Sequence, residues 1–288
     1  MSTLAVEGFR AERTAILEVL GSLTPEEWNL PSACAGWTVR DLVGHLGCTL
    51  HGVVDPAFLP DFSAGAEEGM EPPVALRREW TIAEVVAEYE TYSAQAADTF
   101  AMFQDEPMAS VELPMGQLGT HPMSMLASTF LFDSYCHLRH DLLAPGGPLD
   151  RPEPDRDEAR LAPTVEWMLG GLPWVCAEDL AALDRPVALV LDGPGGGHWT
   201  IAPSGPDGRV TVSEGATGDV AATVTSDTHA FVSWGTRRSA WRDHVTVTGD
   251  EATAASFLDA INIICFPTPA GVGRISRPRC PGPDADRR

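Results

Sequence analysis

The spacing of apolar residues changes once along this chain, and that change limits what it can fold into. Up to about residue 183 the apolar positions recur at helical intervals; from Pro186 they alternate with polar ones. The two periods direct side chains differently, so a helical part must be followed by a part containing a sheet. At 288 residues the chain is long enough for two domains, each with its own core.

The helical part divides at its capping signals. Residues 3–21 carry Leu4, Phe9, Ile16 and Leu20 at roughly helical spacing. Thr24-Pro25-Glu26-Glu27 is a capping box with Pro at the first helical position, opening a short turn that ends near Leu30. Thr38-Val39-Arg40-Asp41 is a second box, with Asp in place of Glu, and predicts a helix to about Val54. Residues 55–79 hold Pro, Gly and acidic residues and read as a long loop. Thr81-Ile82-Ala83-Glu84 is a third box, starting a helix to about Phe103. A fourth long helix is expected from about Pro122 to Leu143, stopped by Ala144-Pro145-Gly146-Gly147. Four main helices predict a four-helix bundle over residues 1–150.

Residues 144–157 are Pro-rich and acidic, as in a linker. A helix or helix pair from about Glu158 to Leu183 carries Trp167 and Trp174, so 151–185 reads as a linker and a helix that docks between domains. Strands are expected at 187–192, 198–202, 209–214, 220–227 and 244–250, with helices near 227–235 and 251–262. These make an α+β unit over 186–266, and the Pro/Gly/Arg-rich residues 267–288 read as a flexible tail. The expected fold is α+β in two domains.

Charge narrows the function. Nineteen basic and 41 acidic residues give a formal charge of −22, which excludes nucleic acid and an anionic membrane surface as partners. All the basic residues are Arg; without Lys, a Schiff-base lysine and the phosphate-binding lysines of nucleotide enzymes are excluded. No apolar run approaches the ~18 residues of a membrane span, and charges interrupt the first residues where a signal peptide needs an apolar core. A soluble, cytoplasmic protein is expected. Six scattered cysteines with no C-x-x-C pair read as reduced thiols in such a compartment. The glycine run 193–197 joins two strand patterns and leads to no helix, so it reads as a hairpin loop, not a phosphate cradle.

The chemistry-bearing residues gather on two of the expected helices. In FLFDSYCHLRHDLL (130–143), His137 lies ~40° from Asp133 around an ideal helix and His140 ~20° on the other side, so the three share one stripe. Asp41, His45 and Cys48 share a face of the helix over 40–53; His45 lies among Leu42, Val43 and Leu46 and faces inward, whereas His51 points away. Two histidines and a carboxylate leave an open position on zinc or iron, as a catalytic metal requires. Spacing alone leaves open a metal site or buried histidines with local partners. Cys48 and Cys136 read either as nucleophiles activated by a neighbouring His or as buried thiols. His121 reads as a surface or cleft residue, and Arg237 and Arg238 as anion contacts or solvated arginines.

The stretch PSACAGWTVRDLVGHLG (31–47) resembles the second-helix signature of the mycothiol-dependent maleylpyruvate isomerase family, within the DinB-like metalloenzymes. Ala35-Gly36-Trp37-Thr38 corresponds to its lead-in, and His45 falls on its first metal ligand. Asp133-Ser134-Tyr135-Cys136-His137 falls on the family's Glu-x-x-x-His pair. HWTI (198–201), Ala222-Thr223-Val224, Ser233-Trp234-Gly235-Thr236-Arg237 and residues 245–261 resemble the small sterol-carrier-like domain that follows the bundle. Two positions depart from the pattern: Asp133 is one methylene shorter than Glu, and His140 is an additional histidine.

The resemblance implies a divalent metal, most often zinc, on His45, Asp133 and His137. It also implies mycothiol, or a similar small thiol, as cosubstrate. The metal would lower the pKa of the thiol, whose thiolate attacks an electrophilic small molecule, giving isomerisation or S-transfer. His140 is the candidate acid/base or positioning group. Arg139 and Arg237 are the candidate cosubstrate contacts, since local arginines must offset the negative field for any anionic partner. Two alternatives remain: a hydrolase or lyase in which the metal activates water, and a non-catalytic protein whose C-terminal domain holds a lipid or other small molecule. A monomer or homodimer is expected.

Overall fold

The computed structural model describes residues 3–61, 69–203, 205, 208–215 and 218–263. Helix α1 (Thr3–Gly21) buries Val6, Phe9, Ile16 and Leu20 on one side. The box at Thr24 closes as its residue types require: Thr24 N–H donates to Glu27 Oε2 (2.9 Å), and Glu27 N–H to Thr24 Oγ1 (3.4 Å). A short 3-10 turn, Glu27–Asn29, follows. Thr38 and Asp41 form the second box, from which α2 (Val39–Val54) runs. Thr81 and Glu84 form the third, at the start of α4 (Ile82–Met102).

The segment expected to be a long loop contains a further helix, α3 (Glu71–Arg77). Its opening Glu71-Pro72-Pro73 is composition that resembles a loop, but prolines in a first turn lack only N–H groups that have no partner there anyway. Residues 62–68 lie outside the described residues. The expected fourth bundle helix is also shorter than its apolar pattern. A two-stranded ribbon, β1 (Glu112–Pro114) and β2 (Thr120–Pro122), precedes it, and α5 covers Leu126–Cys136. The chain then continues as a π-helical turn, His137–Leu142, marked by Leu143 N–H donating to Leu138 O at 3.0 Å.

Helices α1, α2, α4 and α5 enclose a core of Phe9, Leu42, Leu46, Tyr89, Phe100 and Leu131. Helix α6 (Glu158–Val175) packs on α1 and α5, and α7 (Ala177–Leu180) follows. The α1–α6 approach depends on Gly8, where a Cβ would lie 2.0 Å from Ala159 O. The second part is a five-stranded sheet of β3 (Val187–Asp192), β4 (Gly197–Ala202), β5 (Thr211–Glu214), β6 (Ala222–Asp227) and β7 (Val245–Gly249). The strand order is β5-β4-β3-β6-β7, parallel only between β3 and β6, where Leu189 is registered with Val224. Helices α8 (Thr228–Gly235) and α9 (Glu251–Ala260) complete it. The architecture is α+β: a helical region, then a sheet domain. The expected tail from 267 lies outside the described residues, as do Cys265 and Cys280. No helix of the described residues is long and apolar enough to cross a membrane.

Helix α5 serves both cores. Leu131 and Ala127 pack into the bundle, whereas Phe132, Tyr135 and Cys136 pack with Leu189, Val224, Phe231 and Phe257 of the sheet domain. The π-helical turn therefore lies where the two parts meet. Beside it, fully buried Glu12 is flanked by Arg139 and Arg160; both pair with its carboxylate, Arg160 Nε at 3.0 Å. Burial raises the Glu12 pKa and the two guanidinium groups oppose that rise. Glu12→Ala removes the fully buried carboxylate from Arg139 and Arg160, leaving them only Glu153 and Asp157 at the periphery, and urea unfolding is expected to show a loss of about 3 kcal/mol.

Candidate metal centre

His45 enters the helix junction because the Thr38 box sets where α2 begins. Asp41 accepts from both Thr38 groups at 2.9 Å, and Arg78 Nε donates to its other oxygen at 2.9 Å. One turn on, His45 is buried beside the Trp37 ring, centroids 5.2 Å apart; the Trp37 indole N–H is anchored on Glu71 at 2.9 Å. Helix α3, which lies within the expected loop, thus holds the lead-in to α2.

Opposite His45, α5 presents Asp133 and the π-helical turn presents His137. Asp133 lies between the two rings: its Oδ2 is 3.4 Å from His45 Nε2, and its Oδ1 is 3.3 Å from His137 Nε2. The imidazole centroids are 4.9 Å apart. His45 and His137 are sealed from solvent, while the Asp133 side chain is 26% exposed, so approach is from the carboxylate side. Two imidazole nitrogens and one carboxylate, on atoms all within 4.8 Å of one another, fit a divalent cation with an open position. Burial opposes the Asp133 charge, but the two rings outweigh it and hold its pKa far below the ordinary carboxylate range. Burial lowers the pKa of His45 against the pull of Asp133. It also opposes a charge on His137, but Asp133 and Asp141 on either side raise that pKa well above the ordinary imidazole value.

Three further residues surround His137, and one of them, Arg238, meets the expectation of an anion contact. Asp141 Oδ2 is 2.8 Å from His137 Nδ1, so the Nδ1–H donates to it and the other ring nitrogen, Nε2, faces Asp133. Arg238 of the sheet domain donates to both oxygens of Asp141, at 2.9 and 2.6 Å. Cys34, buried, lies 3.8 Å from His137 Nδ1. Cys34, His137 and Asp141 also cluster closely enough to hold a cation. However, Arg238 and the imidazole N–H engage that carboxylate, and burial raises the Cys34 pKa, so this trio serves as a hydrogen-bonded support.

The structure separates His140 from the stripe it was expected to share with Asp133 and His137. The wider π-helical turn breaks the 100° spacing on which that expectation rested. His140 instead packs toward the sheet domain, 5.0 Å from the His229 ring, which hydrogen-bonds the Tyr135 hydroxyl through Nδ1 (2.8 Å). Its Nε2 is buried without a hydrogen-bond partner among the described residues.

The two arginines expected to contact a cosubstrate are held elsewhere. Arg139 is buried against Glu12, Asp155 O (3.1 Å) and the face of Tyr135. Arg237 donates to Ile261 O (3.1 Å) and Asp259 O (2.9 Å), at the end of α9. His51 lies between Phe58 and Tyr92 with Nδ1 on Glu88 (3.0 Å), and His121 donates to Leu118 O (2.8 Å) beside Trp167. Burial pushes the Cys48 and Cys136 thiols up to about 12, which removes both as thiolates at neutral pH. A groove of about 390 Å³ between α6 and the β4–β5 edge is lined by Glu158, Glu166, Trp199 and Glu214, and contains none of the donor trio.

Residues 9–127 match the family described as the mycothiol maleylpyruvate isomerase N-terminal domain. A crystal structure of the mycothiol-dependent maleylpyruvate isomerase is similar in fold, with a TM-score of 0.51 at 18% identity. The match covers 86% of this chain and 96% of that one. A histidine-to-alanine mutant of that enzyme gives 0.47 at the same identity and coverage. No curated protein matches this chain.

The environment of His140 has a consequence in solution. Burial first, then the positive charge of Arg238, lowers its pKa from 6.5 to about 3. The unfolded chain therefore takes up a proton that the folded chain refuses, so stability is complete above pH 6.5 and declines from there toward pH 3. His140→Gln is expected to show a shallower decline in urea-unfolding midpoints across this window. Parallel declines for the two proteins would rule this out.

Proposed function

We propose that this chain, whose residues 9–127 match the mycothiol maleylpyruvate isomerase N-terminal domain family, is a metal-dependent enzyme using mycothiol, or a similar small thiol, on an electrophilic small molecule. The observation that carries this reading is the Asp133 carboxylate placed between His45 Nε2 and His137 Nε2 at 3.4 and 3.3 Å. These three residues would hold the cation, with zinc the best match to two imidazoles and one carboxylate. A divalent cation there supplies a lowered thiol pKa, so that thiolate is available at neutral pH.

The chain's own residues do the remaining work. Asp141 keeps His137 in the tautomer whose Nε2 faces Asp133. The burial of both imidazoles limits water to the Asp133 side. With Cys48 and Cys136 held as thiols, the nucleophile is brought by the cosubstrate. Its sulfur adds to a carbon of a conjugated double bond. Rotation about the resulting single bond and expulsion of the thiolate return the isomer and the thiol; retention of the new C–S bond gives S-transfer. The net charge of −22 opposes an anionic substrate, and with Arg139 and Arg237 engaged elsewhere a neutral electrophile fits better than a dicarboxylate.

Elemental analysis of protein purified without a histidine tag is expected to find about one equivalent of divalent metal per chain, falling close to zero in His45→Ala. Turnover of a conjugated electrophile is expected only with metal and thiol together. Substoichiometric metal that His45→Ala leaves unchanged would overturn the reading. Turnover that needs metal but no thiol would move it to hydrolysis or elimination.

A further inference from the structure

We propose that the sheet domain is part of the metal centre: Arg238 positions His137 through Asp141, so metal affinity and the docking of the sheet domain on the helices are linked. This rests on reading His45, Asp133 and His137 as the donor set. Asp141 and Arg238 are 97 residues apart and belong to different parts of the chain, yet they make a two-pronged ion pair at 2.9 and 2.6 Å. It is shielded from water, with side-chain exposures of 4% and 13%. The same carboxylate accepts the His137 Nδ1–H. Arg238, Asp141 and the His137 ring thus form one line from the sheet domain to the nitrogen that faces Asp133.

The backbone aims Arg238 along that line. Helix α8 ends with Arg238 N–H donating to Ser233 O (2.9 Å) and Arg237 N–H to Trp234 O (3.0 Å), the crossed pair of a Schellman cap. That cap needs a left-handed residue, usually Gly, but here it is Arg237 at φ 55°. Among the described residues it is the one non-glycine with positive φ. The Arg237 guanidinium, bonded to the carbonyls of Asp259 and Ile261, holds that strained turn against α9. Arg237 therefore anchors the turn, and Arg238 projects from it to the helices. On the other side, Asp141 O accepts from Ala33 N–H (3.1 Å), which ties the lead-in of α2 to the same carboxylate-bearing residue.

Arg238 and Asp141 are positioning residues: they act on the donor nitrogen through the ring of His137. Whatever factor docking adds to metal affinity, metal must add to docking. The test uses the full chain, with Zn²⁺ affinity measured by competition against a chromophoric chelator and the visible spectrum of the Co²⁺-loaded protein. Arg238→Met and Asp141→Asn are expected to bind metal about 10–100-fold more weakly and to shift the Co²⁺ bands, with Arg238→Lys intermediate. Hydrogen exchange of wild type is expected to rise at 233–238 and 137–142 when the metal is chelated. Wild-type affinity, within about twofold, and an unchanged Co²⁺ spectrum in folded Arg238→Met would overturn the proposal. Should that variant not fold, wild-type exchange at 233–238 that ignores chelation would overturn it equally. If wild type itself holds no metal, the donor-set reading falls and this proposal with it. If wild type binds and the variants match it, only the link through Arg238 is lost.

Discussion

A carboxylate as buried as that of Asp141 must be matched on every side, and the groups that match this residue, on its carboxylate and its backbone, come from three places. Arg238 arrives from the end of α8, the His137 Nδ1–H from the preceding turn of the same segment, and Ala33 N–H, on the backbone oxygen, from the approach to α2. Removing any one would leave charge or a polar group without compensation in a dry environment. The π-helical turn sets this geometry, because it places His137 toward the bundle while Asp141 and His140 meet the sheet domain. Such turns occur often at functional sites, and here one changes which side chains share a face.

The same logic of matched burial runs outward. Glu12 is compensated by Arg139 and Arg160, which join α1, the π-helical turn and α6. Glu88 is compensated by Arg77 and His51, which join α2, α3 and α4. In a chain of net charge −22 without lysine, arginine supplies these cations. Its planar fork suits a carboxylate that must accept two hydrogen bonds at once. Arginines that would otherwise offer a positive surface to an anionic ligand are thereby drawn into the interior, and the proposal of a neutral electrophile rests on this.

Much of this was legible before the fold was known, where the signal was local. The Thr24, Thr38 and Thr81 boxes close within four residues, so they read correctly without tertiary context. His45 among Leu42, Val43 and Leu46, and Asp133 four residues before His137, needed only helical spacing to be picked out as inward-facing. The helix at Glu71–Arg77 was missed because two prolines read as loop unless they are seen as a first turn. His140 was placed on the wrong face because the spacing assumed an ideal α-helix through His137–Leu142. Cys34 had no signal at all, and Arg238 read only as an anion contact or a solvated arginine: nothing near either residue in sequence says that it approaches His137.

The sequence by itself determined the order of helices and strands, their caps, and the histidines and aspartate that can face one another, because periodicity and capping act over a few bonds. Only the tertiary structure decided which arginine reaches Asp141 and which imidazole nitrogen faces Asp133, because an ion pair spanning 97 residues exists only when α8 is folded against the π-helical turn. Neighbouring arginines show the difference most directly: Arg237 and Arg238 are alike in sequence, yet the left-handed turn at Arg237 sends one to the carbonyls of α9 and the other to Asp141.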